Sequence, residues 1–582
     1  MLSIRRVNPP VNNFETRFLF GPDASVRLDG GAWALVAACF AMLGWKLWAI
    51  WRINVNWDEF YFLTLVHALA RGDLGVPFQT TYAQAFRWLA WIGGGEMAQI
   101  HAARLCMFLL LALSAGQIVR LAARWTSPSA ALAGALAFLC LLSTQVHGAS
   151  FRADSLLLPT LLGVLLLLTR PVAARRADIG AGVLSGVGVA VSVKLALFAP
   201  LFLACLLLAA DTEGPTVSRL RAALLRGLLI GAVTLVVAAT LVGLHHLTLP
   251  AEGLESTSNF AHRSLGKTVL EAGLLPGSFY LRHLLRADRF LWIVIGCGLL
   301  LALVRRRWYP AAMVLAVSPV LFYRNAFPYF YLEMLAPAAV LFSVAVDEVR
   351  ALARRSASAS QRDWVPVACG MLVLVHGGAR LPLLSTDQQW GQSRVLAAVH
   401  HIFPRPVPYL DHAGMVATFH KVNFFMSTWG MEGYLRRGVP FMAPALREFR
   451  PPLLLINRAY LDVLMSESRH LMPEDREALE RFYQPYWGQI HVAGASLVLE
   501  GEETRAVVLP FPGKYRVESA EPLLVDGVVR GPGDVIDVPG TSVTLTRKAT
   551  AGMSPLNVRL LTAEAGPPPA EEADIPYIFT SL

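Results

Sequence analysis

The sequence predicts a polytopic α-helical membrane protein: about 11 transmembrane helices, then a C-terminal region of mixed α/β followed by a β-sandwich. Three observations lead there. Of the 582 residues, 55% are hydrophobic and only 16% are charged, and the mean hydropathy is +0.49; a soluble domain of this size carries more charge. Apolar runs of roughly 17–22 residues, the length that crosses a bilayer core, recur along most of the chain. Near residue 384 they give way to short alternating segments broken by Gly and Pro.

The apolar runs fall near 32–51, 100–120, 128–147, 154–169, 178–193, 195–210, 223–244, 289–304, 310–323, 330–348 and 364–383. The two runs around Lys194 read as one broken helix or as two short ones. The first run starts near Gly31 and no small-residue cleavage site follows it, so it reads as a span and not as a cleaved signal peptide. All six cysteines lie inside apolar runs, without CxxC spacing; this predicts neither a disulfide framework nor a structural zinc site. The net charge of +10 sits mostly in short loops between runs, where it orients a membrane protein and does not signal nucleic-acid binding. An excess of arginine over lysine and abundant alanine fit a bacterium with a GC-rich genome.

Orientation follows from the basic residues. With the N-terminus in the cytoplasm, Arg5, Arg6, Arg17 and Arg27 lie inside. So do Arg120 and Arg124, Arg170 with Arg175 and Arg176, Arg219 and Arg221, Arg305 to Arg307, and Arg350 with Arg354, Arg355 and Arg362. The opposite short loops hold only isolated cations such as Arg152 and Arg324. The expected location is therefore the bacterial inner membrane, with loops 52–99 and 245–288 and everything after 384 in the periplasm. The stretch Arg354 to Arg362 reads as a cytoplasmic linker.

Residues 1–383 are expected to form the transmembrane domain, 384–487 a periplasmic mixed α/β region and 488–582 a β-sandwich-like domain. In the tail, Val407–Leu410 and Pro452–Ile456 read as buried strands. Pro473–Tyr483 opens with proline and acids, as helices do. From Gln489 on, alternating runs punctuated by Gly and Pro give the sandwich pattern. The tail serves either as a passive cap or in acceptor recognition; no dense charge or aromatic patch separates the two.

Directly after the first run stands Asn54-Val55-Asn56-Trp57-Asp58-Glu59-Phe60-Tyr61-Phe62. Phe60–Ala70 reads as a helix lying along the interface. Two carboxylates this close to hydrocarbon are costly unless they are partnered or functional. Neighbours in a helix do not share a face, so Asp58 and Glu59 take different jobs. The bland alternative is a solvated pair that anchors a loop.

This acidic pair, in a long first loop with an interfacial helix, resembles the C-type glycosyltransferase (GT-C) fold, in particular the protein O-mannosyltransferases and the lipid A aminoarabinose transferases. Phe151-Arg152-Ala153-Asp154-Ser155 is similar to the basic-acidic pair of that superfamily. Val191-Ser192-Val193-Lys194 resembles its polar-basic break. Arg324-Asn325-Ala326-Phe327-Pro328-Tyr329-Phe330-Tyr331 resembles the loop before a late span. The likeness in organisation covers about residues 30–350. Where relatives carry a proline- or histidine-bearing motif in the first loop, this chain has Tyr82-Ala83-Gln84-Ala85-Phe86-Arg87-Trp88-Leu89. The resemblance implies a hexosyl- or pentosyltransferase that takes its sugar from a polyprenyl phosphate and passes it to a periplasmic lipid, glycan or protein. Asp58 is then the base and Glu59 its helper.

Such a transfer breaks the bond from the anomeric carbon to a phosphate oxygen through an oxocarbenium-like transition state. The leaving phosphate needs charge stabilisation more than protonation, and arginine's fork suits its oxygens. One carboxylate suffices to deprotonate the acceptor, and one displacement implies inversion. Arg87, Arg152, Lys194, Arg324 and Tyr329 are the candidates for the phosphate; Arg263 and Lys267 are candidate substrate-loop contacts. Each has a structural alternative: Arg152 pairs with Asp154, Lys194 snorkels, and Arg324 anchors a helix end. His245 and His246 lack a third ligand at metal-binding spacing, so no cofactor is assigned and a divalent metal stays open. A lipid-linked-sugar transporter or flippase, or a non-catalytic carrier-binding protein, is the alternative. A transporter lines its path with polar groups at mid-depth, where these spans hold few.

Overall fold

Helices account for every apolar run named above. The structure, a computed structural model, describes residues 30–76, 79–170, 175–209, 216–250, 273–356, 364–548, 554–571, 575 and 578–579. The N-terminal arginines, Arg263, Lys267 and the linker stretch 357–363 lie outside the described residues. The helices Gly31–Ala49, Gly95–Ala122, Val217–His246 and Pro328–Ala353 are long and apolar enough to cross a membrane. A further span results if Ser278–Ala287 and Arg289–Val304, bent by 97° at their junction, are taken as one. Shorter apolar helices cover Pro128–Cys140, Ala153–Leu168, Val193–Leu208, Trp308–Leu321 and Trp364–Gly378. The chain is a membrane protein. By contacts it divides into two units: Met1–Ile53, Ala68–Leu89 and His101–Asp387, and Asn54–His67, Ala90–Ile100 and Gln388–Leu582.

The first unit is helical and is built around the helix Tyr331–Ser356, whose apolar stretch is almost wholly buried. Small residues let neighbouring helices close on it. A Cβ on Gly134 would collide with Ser343 Oγ, and one on Gly298 with the Leu341 carbonyl. The same device joins Arg175–Val191 to Thr216–His246, where Cβ atoms on Gly182 and Gly186 would lie 2.7 and 2.6 Å from the Cβ atoms of Val233 and Val237. An ion pair locks this contact: Arg226 donates from Nε and Nη2 to Asp178 at 2.8–3.2 Å. The outer side of Thr216–His246 stays apolar and open, with Leu235 70% exposed, as for a surface that lipid covers.

Buried polar groups fix the bends of this unit. Lys46 donates to the carbonyls of Gln145 and Val146 at 2.6 and 3.1 Å. Arg104 donates to those of Ile50 and Ile53, both at 2.9 Å. These cations occupy carbonyls that a helix end leaves without partners. Asp288, at the 97° bend, accepts from Leu142 N at 2.9 Å and from Arg380 at 2.7 Å. Ser192 settles the ambiguity around Lys194. It is extended at φ −155°, ψ 127°, so the helix stops at Val191 and a 3-10 turn, Val193–Phe198, restarts the chain before the helix Ala199–Leu208.

The second unit carries twelve described strands: β1 (Pro408–Leu410), β2 (His420–Lys421), β3 (Leu453–Leu455), β4 (Tyr483–Trp487), β5 (Ile490–Leu499), β6 (Thr504–Val508), β7 (Gly513–Glu518), β8 (Leu523–Val525), β9 (Val528–Arg530), β10 (Val535–Val538), β11 (Ser542–Thr546) and β12 (Leu556–Thr562). One sheet runs β10-β7-β12-β5-β3-β1-β2, with β4 also on β5; the other runs β6-β11-β8-β9. Both sheets share one core, in which Leu499, Tyr515, Val517 and Leu560 meet Val507, Val525, Val543 and Leu545. This is the packing of a sandwich. The first half of β5 pairs with β3 and β4, and its second half with β12. The α/β stretch and the sandwich therefore share a continuous sheet.

Candidate active site

In the helical unit, three of the candidate phosphate ligands come together around Asp154. Arg152, 3% exposed, is extended at φ −142°, ψ 147° and begins the helix Ala153–Leu168. That backbone places Asp154 in the first turn, where the helix N-terminus favours an anion. Asp154 Oδ1 meets Lys194 Nζ at 2.7 Å, and its Oδ2 lies 3.8 Å from Arg152 Nε. The Tyr329 ring lies against both cations, with Arg152 Cζ 3.4 Å and Lys194 Nζ 5.2 Å from its centroid. Lys194 is carried there by the break at Ser192, whose hydroxyl accepts from Lys194 N.

A second buried acid completes this cluster. Glu333, 1% exposed, stands in the first turn of Tyr331–Ser356. It interacts electrostatically with Asp154, Lys194 and Arg152, and its Oε2 has no hydrogen-bond partner among the described residues. The resemblance marks Asp154 only as Arg152's partner and does not mark Glu333. Its signal was a carboxylate at the start of an otherwise apolar run.

The other two phosphate candidates are placed differently. Arg87 is exposed at the start of a 3-10 turn, Arg87–Trp91, and its side chain makes no ion pair or hydrogen bond among the described residues. Arg324 is exposed in the turn before the short helix Pro328–Phe330. His245 is buried, and both its ring nitrogens are engaged, with Thr80 Oγ1 at 2.9 Å and Gln84 Nε2 at 3.0 Å. Among the described residues no group of three His, Cys, Asp or Glu is placed to hold a metal.

Asp58 and Glu59 belong to the second unit. They open the helix Trp57–Arg71, and the structure separates their surroundings. Asn56 Oδ1 accepts from Asp58 N at 3.0 Å, and Glu59 Oε1 accepts from Asn56 N at 3.1 Å. This is a capping box: the residue before the helix and the third one inside it satisfy each other's end of the chain. Glu59 is fully buried by this role, whereas Asp58 is partly exposed.

The same unit grips the segment on either side of this pair. Val55 exchanges two hydrogen bonds with the Gln392 side chain, at 3.0 and 2.8 Å. Thr64 donates to the Gly414 carbonyl at 2.7 Å, and Tyr61 stacks on Phe425 at 4.1 Å. Trp57 lies under Arg458, whose Cζ is 4.5 Å from the ring centroid, and edge-on to His412 at 5.5 Å. Burial, with Arg458 and Lys421 nearby, holds His412 well below the usual imidazole range, so it is neutral. Glu96 accepts from Thr418 N at 3.1 Å and meets His400 Nε2 at 2.9 Å. That hydrogen bond raises the His400 pKa against the opposing effect of burial. Sequence reasoning missed these contacts because their partners lie more than 300 residues apart.

The helical unit and the C-terminal sheet region together make a fold that solved structures share. A similar solved structure is that of ArnT from Cupriavidus metallidurans bound to undecaprenyl phosphate, at 18% identity and TM-score 0.53, covering 75% of this chain and 95% of that one. The apo state of the same protein matches at 16% identity and TM-score 0.49, covering 74% and 93%. The apo oligosaccharyltransferase of Archaeoglobus fulgidus matches at 13% identity and TM-score 0.44, covering 88% and 76%. No protein-family model matches the sequence, and no curated protein does.

Proposed function

We propose that this protein is a membrane glycosyltransferase that takes a sugar from a polyprenyl-phosphate donor and transfers it, with inversion, to an acceptor at the periplasmic face. The observation that carries this reading is the fold shared with ArnT, a protein solved with undecaprenyl phosphate bound. The buried cluster supports it with matching chemistry. Arg152 and Lys194 supply two cations, and Tyr329 holds them by its ring face. When the donor phosphate takes up Lys194, Asp154 keeps Arg152 as its counter-charge. Asp58 is the base: it is partly exposed, whereas Glu59 is buried and its carboxylate closes the cap. Arg87 and Arg324, both exposed, suit a later contact with the leaving phosphate or the acceptor. The proposed location is the bacterial inner membrane, with about eleven spans, a cytoplasmic N-terminus and a periplasmic C-terminal region.

The test compares two donors. Protein in lipid nanodiscs receives a nucleotide sugar or the matching polyprenyl-phosphate sugar, together with an extract of envelope lipids and glycans. Transfer is expected from the lipid-linked sugar alone. Transfer from the nucleotide sugar with no carrier lipid present would overturn the donor assignment.

A further inference from the structure

The second unit holds one exposed turn whose shape is fixed from behind. The helix Thr428–Arg437 ends at Gly438, which is left-handed at φ 62°, and the chain then passes through Val439, Pro440 and Phe441. A fully buried carboxylate, Asp475, sets this path. It accepts from Tyr434 Oη at 2.6 Å, from Phe441 N at 2.8 Å and from Ala443 N at 2.8 Å. Tyr434 Oη in turn accepts from Met472 N at 2.7 Å. Three hydrogen bonds to one carboxylate hold a short turn firmly.

What the turn presents is apolar and basic. Leu435, Val439 and Phe441 are 46%, 61% and 36% exposed. Arg436 and Arg437 are exposed between them and make no ion pair or hydrogen bond among the described residues. No acidic residue occurs between Glu432 and Glu448. Single exposed apolar side chains are ordinary; three within seven residues, held outward by a buried acid and interleaved with unpaired arginines, are a designed surface. It is too small for a stable protein interface, which takes about 800 Å² from each partner. Apolar tips with flanking cations instead suit the boundary between lipid headgroups and acyl chains, where phosphates meet the arginines.

We propose that the 435–441 turn inserts into the surface of an anionic lipid leaflet and docks the second unit on the membrane. This rests on the chain being a membrane protein and not on any transfer activity, so it stands or falls apart from the proposed function. The test uses the full chain in nanodiscs with the photo-crosslinker p-benzoylphenylalanine at Val439, or at Val528 of β9, which is 52% exposed, as control. The discs contain phosphatidylcholine alone or mixed with phosphatidylglycerol. Lipid adducts are expected at Val439 in the mixed discs and not at Val528. Arg436→Gln and Arg437→Gln should each lower them about fivefold, with the thermal unfolding profile unchanged. Equal labelling of lipid from both positions, equal yields in both lipid compositions, or crosslinks from Val439 to a protein in place of lipid would each overturn the proposal.

Discussion

Asp58 and Glu59 are adjacent, yet the capping box separates what their substitution does. Glu59→Gln keeps an acceptor oxygen for Asn56 N, and glutamine serves that position as glutamate does. It should leave the helix start and turnover near normal. Asp58→Asn keeps size and removes the charge; as the loss of a general base it should lower transfer about 100-fold or more. The measurement is turnover with a polyprenyl-phosphate sugar by protein that elutes and melts like the parent. Near-normal Asp58→Asn together with inactive Glu59→Gln would exchange the two roles. At this scale the sequence was informative where charge met hydrocarbon, as at Asp58, and where short motifs carried the family resemblance, as at Arg152 and Lys194. Glu333 meets the charge criterion as well, but no neighbour in sequence marks it. The capping box Asn56-Trp57-Asp58-Glu59 was also readable, since it depends on spacing alone.

The pair Gly182 and Gly186 has the spacing that brings one helix face against another, and its partner is Thr216–His246. Gly186→Ala puts a Cβ 2.6 Å from Val237 Cβ, so the helices must separate. Overpacking of this kind costs about 1–3 kcal/mol. Gly231→Ala, on the facing helix with nothing within 4 Å of its Cβ, is the control. Thermal unfolding in detergent should show a lower midpoint for Gly186→Ala and no loss for Gly231→Ala; equal midpoints would remove the close contact. Helices were legible at this scale because apolar length is a property of neighbouring residues. The strands at Val407–Leu410 and Pro452–Ile456 were legible as short apolar runs. Their parallel pairing was not, because Leu410 of β1 and its partner Leu454 of β3 lie 44 residues apart, and register depends on what folds between them.

For the whole molecule, the proposed topology makes a direct prediction. Alkaline phosphatase fused after Leu384 should be active, and a cytoplasmic reporter at the same point silent. The reverse result would move the proposed base to the wrong side of the membrane. Charge asymmetry between loops carries this expectation. The membership of the second unit was not. Apolar runs divide a chain where hydrophobicity changes, near residue 384, whereas contacts assign Asn54–His67 and Ala90–Ile100 to the unit that ends at Leu582. Side-chain pairings such as Val55 with Gln392 carry that assignment, and no local pattern announces them.

Those pairings also order events in time. Val55 and Gln392 lie 337 residues apart, and a ribosome adds about 5–20 residues each second. The first-loop acids therefore leave the ribosome roughly 15–70 s before the segment that clasps them. Until then Trp57 has neither Arg458 nor His412 against it, and Glu96 lacks His400. A nascent chain can hold all its helices in the bilayer while the loop carrying Asp58 is still unfastened. Completion of the last polar segment, and not insertion, is the step that fastens this loop.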